Sequence, residues 1–244
     1  MMRCHLFIYN NLEAIEIAKK LGIDLELDFD TGKLGVKRAE LTKIKEASNG
    51  IAKSIHGPFM DLNPGAIDYE VRKITHARIK WAIEIARQLE IGDLVVHDGY
   101  IPLIYGYSYL KARWLRTANE FFRDVSKLSA DAGVRVLVEN MFTDDPLIIK
   151  ELIDGTDLNT CLDVAHLSFS SNFSAAEWVD ALTPFIKEVH IHDNNGRTDE
   201  HLPLGKGNVD FSAVAAFSSM FTLEVYHEAD IIASVEYLRE KGWI

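Results

Sequence analysis

Short apolar segments alternate with longer amphipathic segments along the whole chain. Short apolar runs are typical of buried strands, and apolar residues three or four positions apart are typical of helices that pack on a sheet. The short runs predict strands over Arg3 to Tyr9, Asp24 to Phe29, Ser54 to Pro58, Asp93 to Asp98, Val134 to Asn140, Thr160 to Ala165, Glu188 to Asp193 and Thr222 to Tyr226. The longer segments predict helices over Asn11 to Leu21, Val36 to Ala47, Asp68 to Glu90, Ser108 to Ala132, Asp145 to Ile153, Ala175 to Leu182, Phe211 to Ser218 and Ile231 to Lys241.

This alternation predicts the fold class. Strands that alternate with helices require a parallel sheet, and eight such units in 244 residues favour a closed (β/α)8 TIM barrel over an open doubly wound sheet. We expect a single domain over residues 1–244, because no low-complexity linker divides the chain. No Gly-x-Gly-x-x-Gly follows the first predicted strand, so the fingerprint of a dinucleotide-binding domain is missing. Gly22, Gly92 and Gly133 each precede a predicted strand, where glycine is expected to end the helix before it.

The composition restricts the possible binding partners of the protein and the cellular compartment in which it is expected. The formal net charge is −11, so the average surface repels nucleic acid, which disfavours a nucleic-acid partner without excluding one. The apolar stretch at the start is too short for a signal peptide, and no segment has the length of a membrane span, so a cytoplasmic protein without a membrane partner is predicted. Cys4 and Cys161 lie in strand-like runs without Cys-x-x-Cys spacing and are expected to be reduced and buried.

The candidate chemistry lies at the ends of six consecutive predicted strands, where a barrel carries its functional residues. Any one of these polar residues could cap a helix or pair with an arginine. Together they place too many carboxylates and lone pairs in one mouth to be stable without a cation. The strand-end residues are His56, His97, Glu139, Asp163 with His166, His190 with His192, and Glu224, and the loop after the seventh strand adds Asp199 and His201.

The chemical types of the candidate ligands restrict which metal ion is expected to bind. Imidazole and carboxylate without thiolate suit Zn²⁺, Mn²⁺, Co²⁺ or Fe²⁺ better than Ca²⁺ or Cu⁺. Zn²⁺ or Mn²⁺ is favoured, with one to three ions per chain. The donors exceed the needs of one ion, so either two or three ions bind or some histidines contact the substrate. Glu139 and Glu224 come from nonadjacent strands and could flank one ion while carrying protons to and from a substrate.

These residues resemble those of the xylose isomerase-like barrels, which include endonuclease IV, the ketose 3-epimerases, the inositol-catabolism isomerases and hydroxypyruvate isomerase. The resemblance covers nearly the whole chain and implies a shared metal centre made by Glu139, Asp163, His190 and Glu224. Because some epimerases use the second histidine of His-x-His, His192 is an alternative to His190. The endonuclease IV branch implies five further ligands, which are His56, His97, His166, Asp199 and His201.

Departures from the endonuclease IV pattern separate the functional hypotheses. The loop ends in Gly205-Lys206-Gly207 where that branch has Gly-Glu-Gly, and the long basic loops that grip DNA have no counterpart. Arg197 is a loose match to the arginine that contacts substrate in the epimerases.

The favoured function is a metal-dependent isomerase or epimerase of a small sugar, sugar phosphate or hydroxy-keto compound, acting by proton transfer through an enediolate. Glu139 and Glu224 would be the base and acid, and His166 and Arg197 would bind the substrate. One alternative is an apurinic-site endonuclease. A second alternative is a metal-loaded barrel that binds a ligand without turnover, because a fold does not guarantee chemistry.

Overall fold

Eight parallel strands form the centre of the molecule. In the computed structural model, residues 2–6, 11–29 and 37–244 are described. The strands are β1 (Arg3–Leu6), β2 (Asp24–Asp28), β3 (Ala52–His56), β4 (Asp93–His97), β5 (Arg135–Glu139), β6 (Asn159–Asp163), β7 (Ile186–Ile191) and β8 (Phe221–Val225). Each strand pairs with the next one in the chain, and β8 also pairs with β1, which closes the barrel. The predicted (β/α)8 fold class is confirmed.

Helices follow the strands around the outside of the barrel. They are α1 (Asn11–Leu21), α2 (Arg38–Ser48), α3 (Tyr69–Leu89), α4 (Pro102–Tyr105), α5 (Ser108–Ala132), α6 (Pro146–Ile153), α7 (Val164–Ser170), α8 (Ala175–Leu182) and α9 (Glu228–Glu240), with a 3₁₀ helix at Ser212–Met220. Among the described residues, none of these helices has the length and apolar character needed to cross a membrane.

The observed elements differ from the predicted ones in three places. The helix predicted over residues 211–218 is a 3₁₀ helix, and α4 and α7 were not predicted. The apolar run after Asp163 resembles a strand, but the Asp163 side chain accepts a hydrogen bond from the His166 N–H and begins α7 there. The predicted strand residues 7–9 and the predicted helix residue 36 lie outside the described residues.

The two faces of the barrel wall have different chemistry. Outward residues such as Leu94, Val96 and Val138 pack against the helices in the main apolar core. The inward residues Val95 and Leu137 form a separate small cluster with Cys161. Cys4 and Cys161 are both buried free thiols, as predicted.

A buried ion pair lies near the N-terminal ends of the strands. Nη1 of Arg3 is 2.7 Å from Oε2 of Glu188. The hydroxyls of Ser54 and Thr222 donate to Oε1 of the same carboxylate, so both of its oxygens are satisfied. Burial, followed by the charge of Glu26, raises the pKa of Glu188 to about 7. This end of the barrel is therefore closed by an internally satisfied polar network.

Two long helices end in the left-handed conformation with different residues. Helix α5 ends at Gly133, with φ 68° and ψ 27°. Helix α3 ends at Glu90, as predicted, but the left-handed residue is Glu90 itself, with φ 60° and ψ 35°, and not the expected glycine, Gly92. The Glu90 N–H donates to the carbonyls of Ala86 and Arg87, so the backbone is the same type of cap in both helices. A side chain in this conformation costs about 1–2 kcal/mol.

We predict opposite stability changes for substitutions at these two caps. Gly133→Ala should lower the free energy of unfolding by about 1 kcal/mol, because its Cβ meets no atom within 4 Å and only the backbone conformation is penalised. Glu90→Gly should raise it by up to about 1 kcal/mol, because the exposed ion pair from Lys45 to Glu90 contributes little. Urea unfolding of both variants measures the difference. Equal signs for the two changes would contradict this account of the caps.

Candidate metal centre

The C-terminal ends of β3 to β8 bring the predicted ligands to one mouth of the barrel. His56, His97, Glu139 and Asp163 are the last residues of β3, β4, β5 and β6. Neighbouring strands are in register there, since His97 pairs with Glu139 and Asp163 pairs with His190. The parallel closed sheet therefore makes residues that are far apart in sequence into neighbours.

Glu139 is the centre of a first set of donors, which we call the inner group and which consists of His56, His97, Glu139, His190 and Glu224. Oε2 of Glu139 is 3.3 Å from Nε2 of His56 and 3.2 Å from Nε2 of His97. Its Oε1 is 3.2 Å from Nδ1 of His190. The same Nδ1 is 3.0 Å from Oε1 of Glu224. Two carboxylates from β5 and β8 thus meet at one imidazole nitrogen.

A second set of donors, the outer group, consists of His166 from α7 together with His192, Asp199 and His201 from the segment after β7. Oδ2 of Asp199 is 3.1 Å from Nε2 of His201 and 3.5 Å from Nε2 of His166. Oδ1 of Asp199 is 3.4 Å from Nε2 of His192. The rings of His192 and His201 are stacked with their centroids 4.0 Å apart. One donor atom from each of the four residues lies within 4.8 Å of the others.

Asp163 lies between the two groups. Its Oδ2 is 3.4 Å from Nε2 of His192 and 3.7 Å from Nδ1 of His166. The side chain of Asn140 holds this position, because its Oδ1 accepts from the Asp163 N–H and its Nδ2 donates to the Asp163 carbonyl. The main-chain carbonyl of Asn140 is 2.8 Å from Nδ1 of His166. Asn140 therefore fixes one residue of the outer group together with Asp163.

His190, which lies in β7, and His192, which follows that strand, belong to different groups. His190 faces Glu139 and Glu224, whereas His192 faces Asp163 and Asp199. The alternative ligands His190 and His192 are thus both placed at the mouth, with His190 inner and His192 outer. The predicted substrate residue Arg197 is exposed in the loop, where its backbone N–H donates to the Asn195 side chain.

A single carboxylate closes the loop that carries Asp199 and His201. Oδ2 of Asp193 accepts from the N–H groups of Gly205 and Gly207, at 2.9 and 2.8 Å. Its Oδ1 accepts from the Val209 N–H at 3.0 Å. A Cβ on Gly207 would collide with that carboxylate and with the carbonyl of Asn194. The second glycine of Gly205-Lys206-Gly207 is therefore required by the close approach of two backbone segments.

Sequence reasoning missed two residues of the barrel interior, His5 on β1 and Glu26 on β2. Both are fully buried. Nδ1 of His5 is 2.9 Å from Oε1 of Glu224, and Oε1 of Glu26 is 3.3 Å from Nε2 of His190. The alternation of Leu25, Glu26 and Leu27 is the signal that could have found Glu26, because it places a carboxylate on the opposite face from two leucines.

Charge compensation in this centre falls on the histidines. Burial alone would lower the pKa of His56, but the hydrogen bond and charge of Glu139 outweigh it and raise the pKa to about 10. Burial opposes ionisation of Glu139 and Glu224, yet the charge of His190 holds the pKa of both carboxyls well below the usual range. The pKa of His190 is correspondingly raised by its carboxylate neighbours despite burial. Bound protons thus supply positive charge that a divalent ion would also supply.

The donor set fits a divalent cation of the Zn²⁺ or Mn²⁺ type. Imidazole and carboxylate are its ordinary ligands. Buried donor atoms in both groups have no hydrogen-bond partner among the described residues, and each such atom is costly unless it is satisfied. These atoms are Oε2 of Glu139 in the inner group, Nε2 of His166, both ring nitrogens of His192 and Oδ1 of Asp199 in the outer group, and Oδ2 of Asp163 between the two groups.

Aromatic rings contact the donors along the rim of the mouth. The ring of Phe59 is stacked on His97 with centroids 4.3 Å apart. Phe169 packs edge-on against His166 at 5.7 Å. Tyr226 packs in the same way against His201 at 5.6 Å. Apolar ring surfaces therefore adjoin both the inner and the outer group.

The fold and the site together define a class of protein, a (β/α)8 barrel with a buried imidazole and carboxylate centre at its C-terminal mouth. The chain belongs to the xylose isomerase-like TIM barrel family, whose family model matches residues 15–241. The resemblance indicated by the sequence is confirmed.

Several proteins are similar to this chain in sequence or in fold. Uncharacterized protein MJ1311 of Methanocaldococcus jannaschii is 33% identical over 205 residues, which cover 76% of this chain and 68% of the relative. The structure is similar to that of a D-tagatose 3-epimerase-like protein, with a TM-score of 0.79 and 26% identity over 98% of this chain and 96% of the other. It also shares the fold of endonuclease IV from Thermus thermophilus, with a TM-score of 0.71 and 23% identity over 98% and 99% of the two chains.

The raised pKa of His56 predicts how the stability of the protein without metal depends on pH. Its stabilising contribution is fully present below about 6.5, the ordinary pKa, and is lost as the pH rises through the folded-state pKa of about 10. The free energy of unfolding should therefore fall between pH 6.5 and 9.5 when metal is removed by chelation. His56→Gln should reduce that slope. Urea unfolding at several pH values measures both, and an identical slope in the two proteins would contradict the assignment.

A second prediction concerns the loop closed by Asp193. Gly207→Ala should displace the loop and remove metal from the outer group, while the ion held by the inner group and Asp163 remains. The matched control is Lys206→Ala, because Lys206 is an exposed neighbour in the same turn. Elemental analysis after metal loading and gel filtration measures both. Loss of every ion in Gly207→Ala, or equal loss in the control, would show that the two groups are not separable in this way.

Proposed function

We propose that this protein is a divalent-metal-dependent isomerase or epimerase that acts on a small sugar, sugar phosphate or hydroxy-keto compound. The main support for the proposal is the position of two carboxylates around one imidazole. Oε1 of Glu139 and Oε1 of Glu224 approach Nδ1 of the same histidine, His190, from two different strands. A site between two ionised carboxylates is what proton removal and return at carbon requires.

The residues that would hold metal follow from the two groups. Glu139, His190 and Glu224 lie together with His56 in the inner group and would hold the principal ion, with His97 beside them at Glu139. The family resemblance adds Asp163 as the fourth ligand of that ion, and Asp163 lies with Glu139 and His166 in an overlapping cluster. The outer group would hold a further ion or bind the substrate. When bound, a divalent ion polarises a carbonyl and stabilises the negative charge that develops on its oxygen.

The protein's own groups would carry the proton. Glu139 and Glu224 are ionised at neutral pH, because the charge of His190 keeps their pKa values low against the effect of burial. Either can therefore accept a proton from a substrate carbon, and the other can return one from a different side. His166 and Arg197 would position substrate oxygens, with His166 in the wall of the mouth and Arg197 in the exposed loop beside it.

The surroundings of the centre favour a small substrate. The formal net charge of the chain is −11, and four carboxylates, those of Glu139, Asp163, Asp199 and Glu224, lie at the mouth. A polyanion requires a cationic groove, and its binding weakens steeply as salt rises. The rings of Phe59, Phe169 and Tyr226 offer apolar surfaces at the rim, which suit the C–H faces of a sugar.

A second candidate function, cleavage at an apurinic site in DNA, has one specific observation in its favour. All nine positions that the endonuclease IV branch implies are occupied by imidazole or carboxylate and converge at the mouth. Clustered ions can activate a water for attack on a phosphodiester. The missing basic loops and the acidic composition are the reasons for ranking it second.

We predict that metal-loaded protein catalyses carbon-bound proton exchange. In deuterated water, a panel of ketoses, aldoses, their phosphates and hydroxypyruvate should reveal a substrate that gains deuterium next to a carbonyl, detected by proton NMR and mass spectrometry. Glu139→Gln and Glu224→Gln should each lower the rate by at least about 100-fold, the scale of general acid–base catalysis.

A parallel reaction with duplex DNA containing one abasic site tests the second candidate. Salt-sensitive nicking without exchange would establish the nuclease instead. Binding of a panel sugar by metal-loaded protein with neither exchange nor nicking would indicate a barrel that binds a ligand without turnover.

A further inference from the structure

The ring of His190 has two differently occupied sides. Its Nδ1 faces the carboxylates of Glu139 and Glu224, at 3.2 and 3.0 Å. Its Nε2 faces Oε1 of Glu26 at 3.3 Å. The imidazole therefore stands between the donors of the inner group and a carboxylate that comes from the opposite side of the barrel, on β2.

Glu26 is a buried carboxylate that no proposed step of the reaction uses. Its exposed fraction is 1%, and neither of its oxygens has a hydrogen-bond partner among the described residues. Nε2 of His190 is likewise buried without a hydrogen-bond partner there. Nδ1 of His5 is the other nitrogen near Oε1 of Glu26, at 3.5 Å, but it lies closer to Glu224, at 2.9 Å. Each orphaned atom is thus the natural partner of the other.

This pairing decides which nitrogen of His190 can bind a cation. A neutral imidazole carries one N–H and one lone pair, and the hydrogen bond at one nitrogen selects the role of the other. A carboxylate at Nε2 favours the proton there, which leaves the lone pair on Nδ1. That nitrogen is the one directed at Glu139 and Glu224.

We propose that Glu26 is a positioning residue of the metal centre, which accepts a hydrogen bond from Nε2–H of His190 and so presents Nδ1 of that ring as the ligand. The assignment rests on the metal centre proposed above but not on the reaction that the centre performs. It gives β2, a strand without any sequence-predicted ligand, a defined part in the site. His5 on β1 has the corresponding place beside Glu224, since Nδ1 of His5 is 2.9 Å from its Oε1.

The first test measures zinc affinity by competition with a chromophoric chelator. Glu26→Leu removes the acceptor at similar size and should weaken zinc binding by about 10- to 100-fold, the usual effect of losing a hydrogen-bond partner of a metal-bound histidine. Glu26→Gln keeps an oxygen that can accept the hydrogen bond, so this variant should lose less zinc affinity than Glu26→Leu. The matched control is Asp93→Asn, because Asp93 is also buried but is bonded to Arg135 at the first residue of β4, and the variant should retain the wild-type affinity within about threefold.

The number of zinc ions distinguishes positioning from direct ligation. Both Glu26 variants should still bind the wild-type number of ions at saturating zinc. Loss of one whole equivalent in Glu26→Leu would make Glu26 a ligand and overturn the proposal. Unchanged affinity in Glu26→Leu would overturn it as well.

The second test needs no variant. In zinc-loaded protein labelled with ¹⁵N-histidine, long-range proton–nitrogen correlation spectra show which ring nitrogen of each histidine binds metal and which carries a proton. His190, assigned through contacts with Thr222, should be bound through Nδ1 and protonated at Nε2. Binding through Nε2 would refute the proposal. Because neither test uses turnover, both outcomes stand apart from the success or failure of the exchange experiment.

Discussion

The stability of the C-terminal half of this barrel depends on the pairing of buried carboxylates with imidazoles. Glu26, Glu139, Asp163 and Glu224 are all buried where water cannot solvate them. Carboxylates in that position are stable only when positive charge and hydrogen-bond donors surround them. His56 and His190 meet this need with protons, because neighbouring carboxylates raise their pKa values against the effect of burial, and a bound cation would meet it with fewer and stronger contacts. The wall residues are thus tied to the chemistry of the mouth, since replacing one of them leaves its neighbours uncompensated.

The opposite end of the barrel solves the same problem without an ion. Arg3 neutralises Glu188, and two hydroxyls complete the hydrogen bonds of that carboxylate. Both oxygens of the Glu188 carboxylate are therefore satisfied by described residues of the protein itself. The separate apolar cluster of Val95, Leu137 and Cys161 also lies within the barrel interior. The contrast between a closed polar network and a set of orphaned donors locates the functional end of the barrel on physical grounds alone.

Sequence reasoning predicted the barrel and most of its mouth because both follow from simple periodic rules. Alternating strands and helices define the closed parallel sheet, and the rule that function lies at strand ends selects residues such as His97 and Glu139. The same rule excluded His5 and Glu26, which lie in strand interiors. Whether an inward residue meets a partner across the barrel depends on the register of strands that are distant in sequence.

Two helix boundaries depended on features other than hydrophobic spacing. Helix α7 was missed because its start depends on the Asp163 side chain. The end of α3 was predicted correctly, but its capping residue was expected at Gly92, whereas Glu90 adopts the conformation that glycine normally provides.

The Asp193 carboxylate gives the loop after β7 a property of its own. The Asp193 side chain binds the backbone where the loop returns, and the Asp193 main chain pairs with Leu202, so the start of the loop is fixed to its returning half by both. The turn from Asn195 to Glu200 lies between these fixed points and can change in length and composition while the residues on either side keep their positions. Such an arrangement allows the donor at Asp199 to be exchanged on an unchanged barrel, while His166 and His192 keep their places. Diversification of chemistry within a family of this fold would then require replacement of one tethered segment and no redesign of the core.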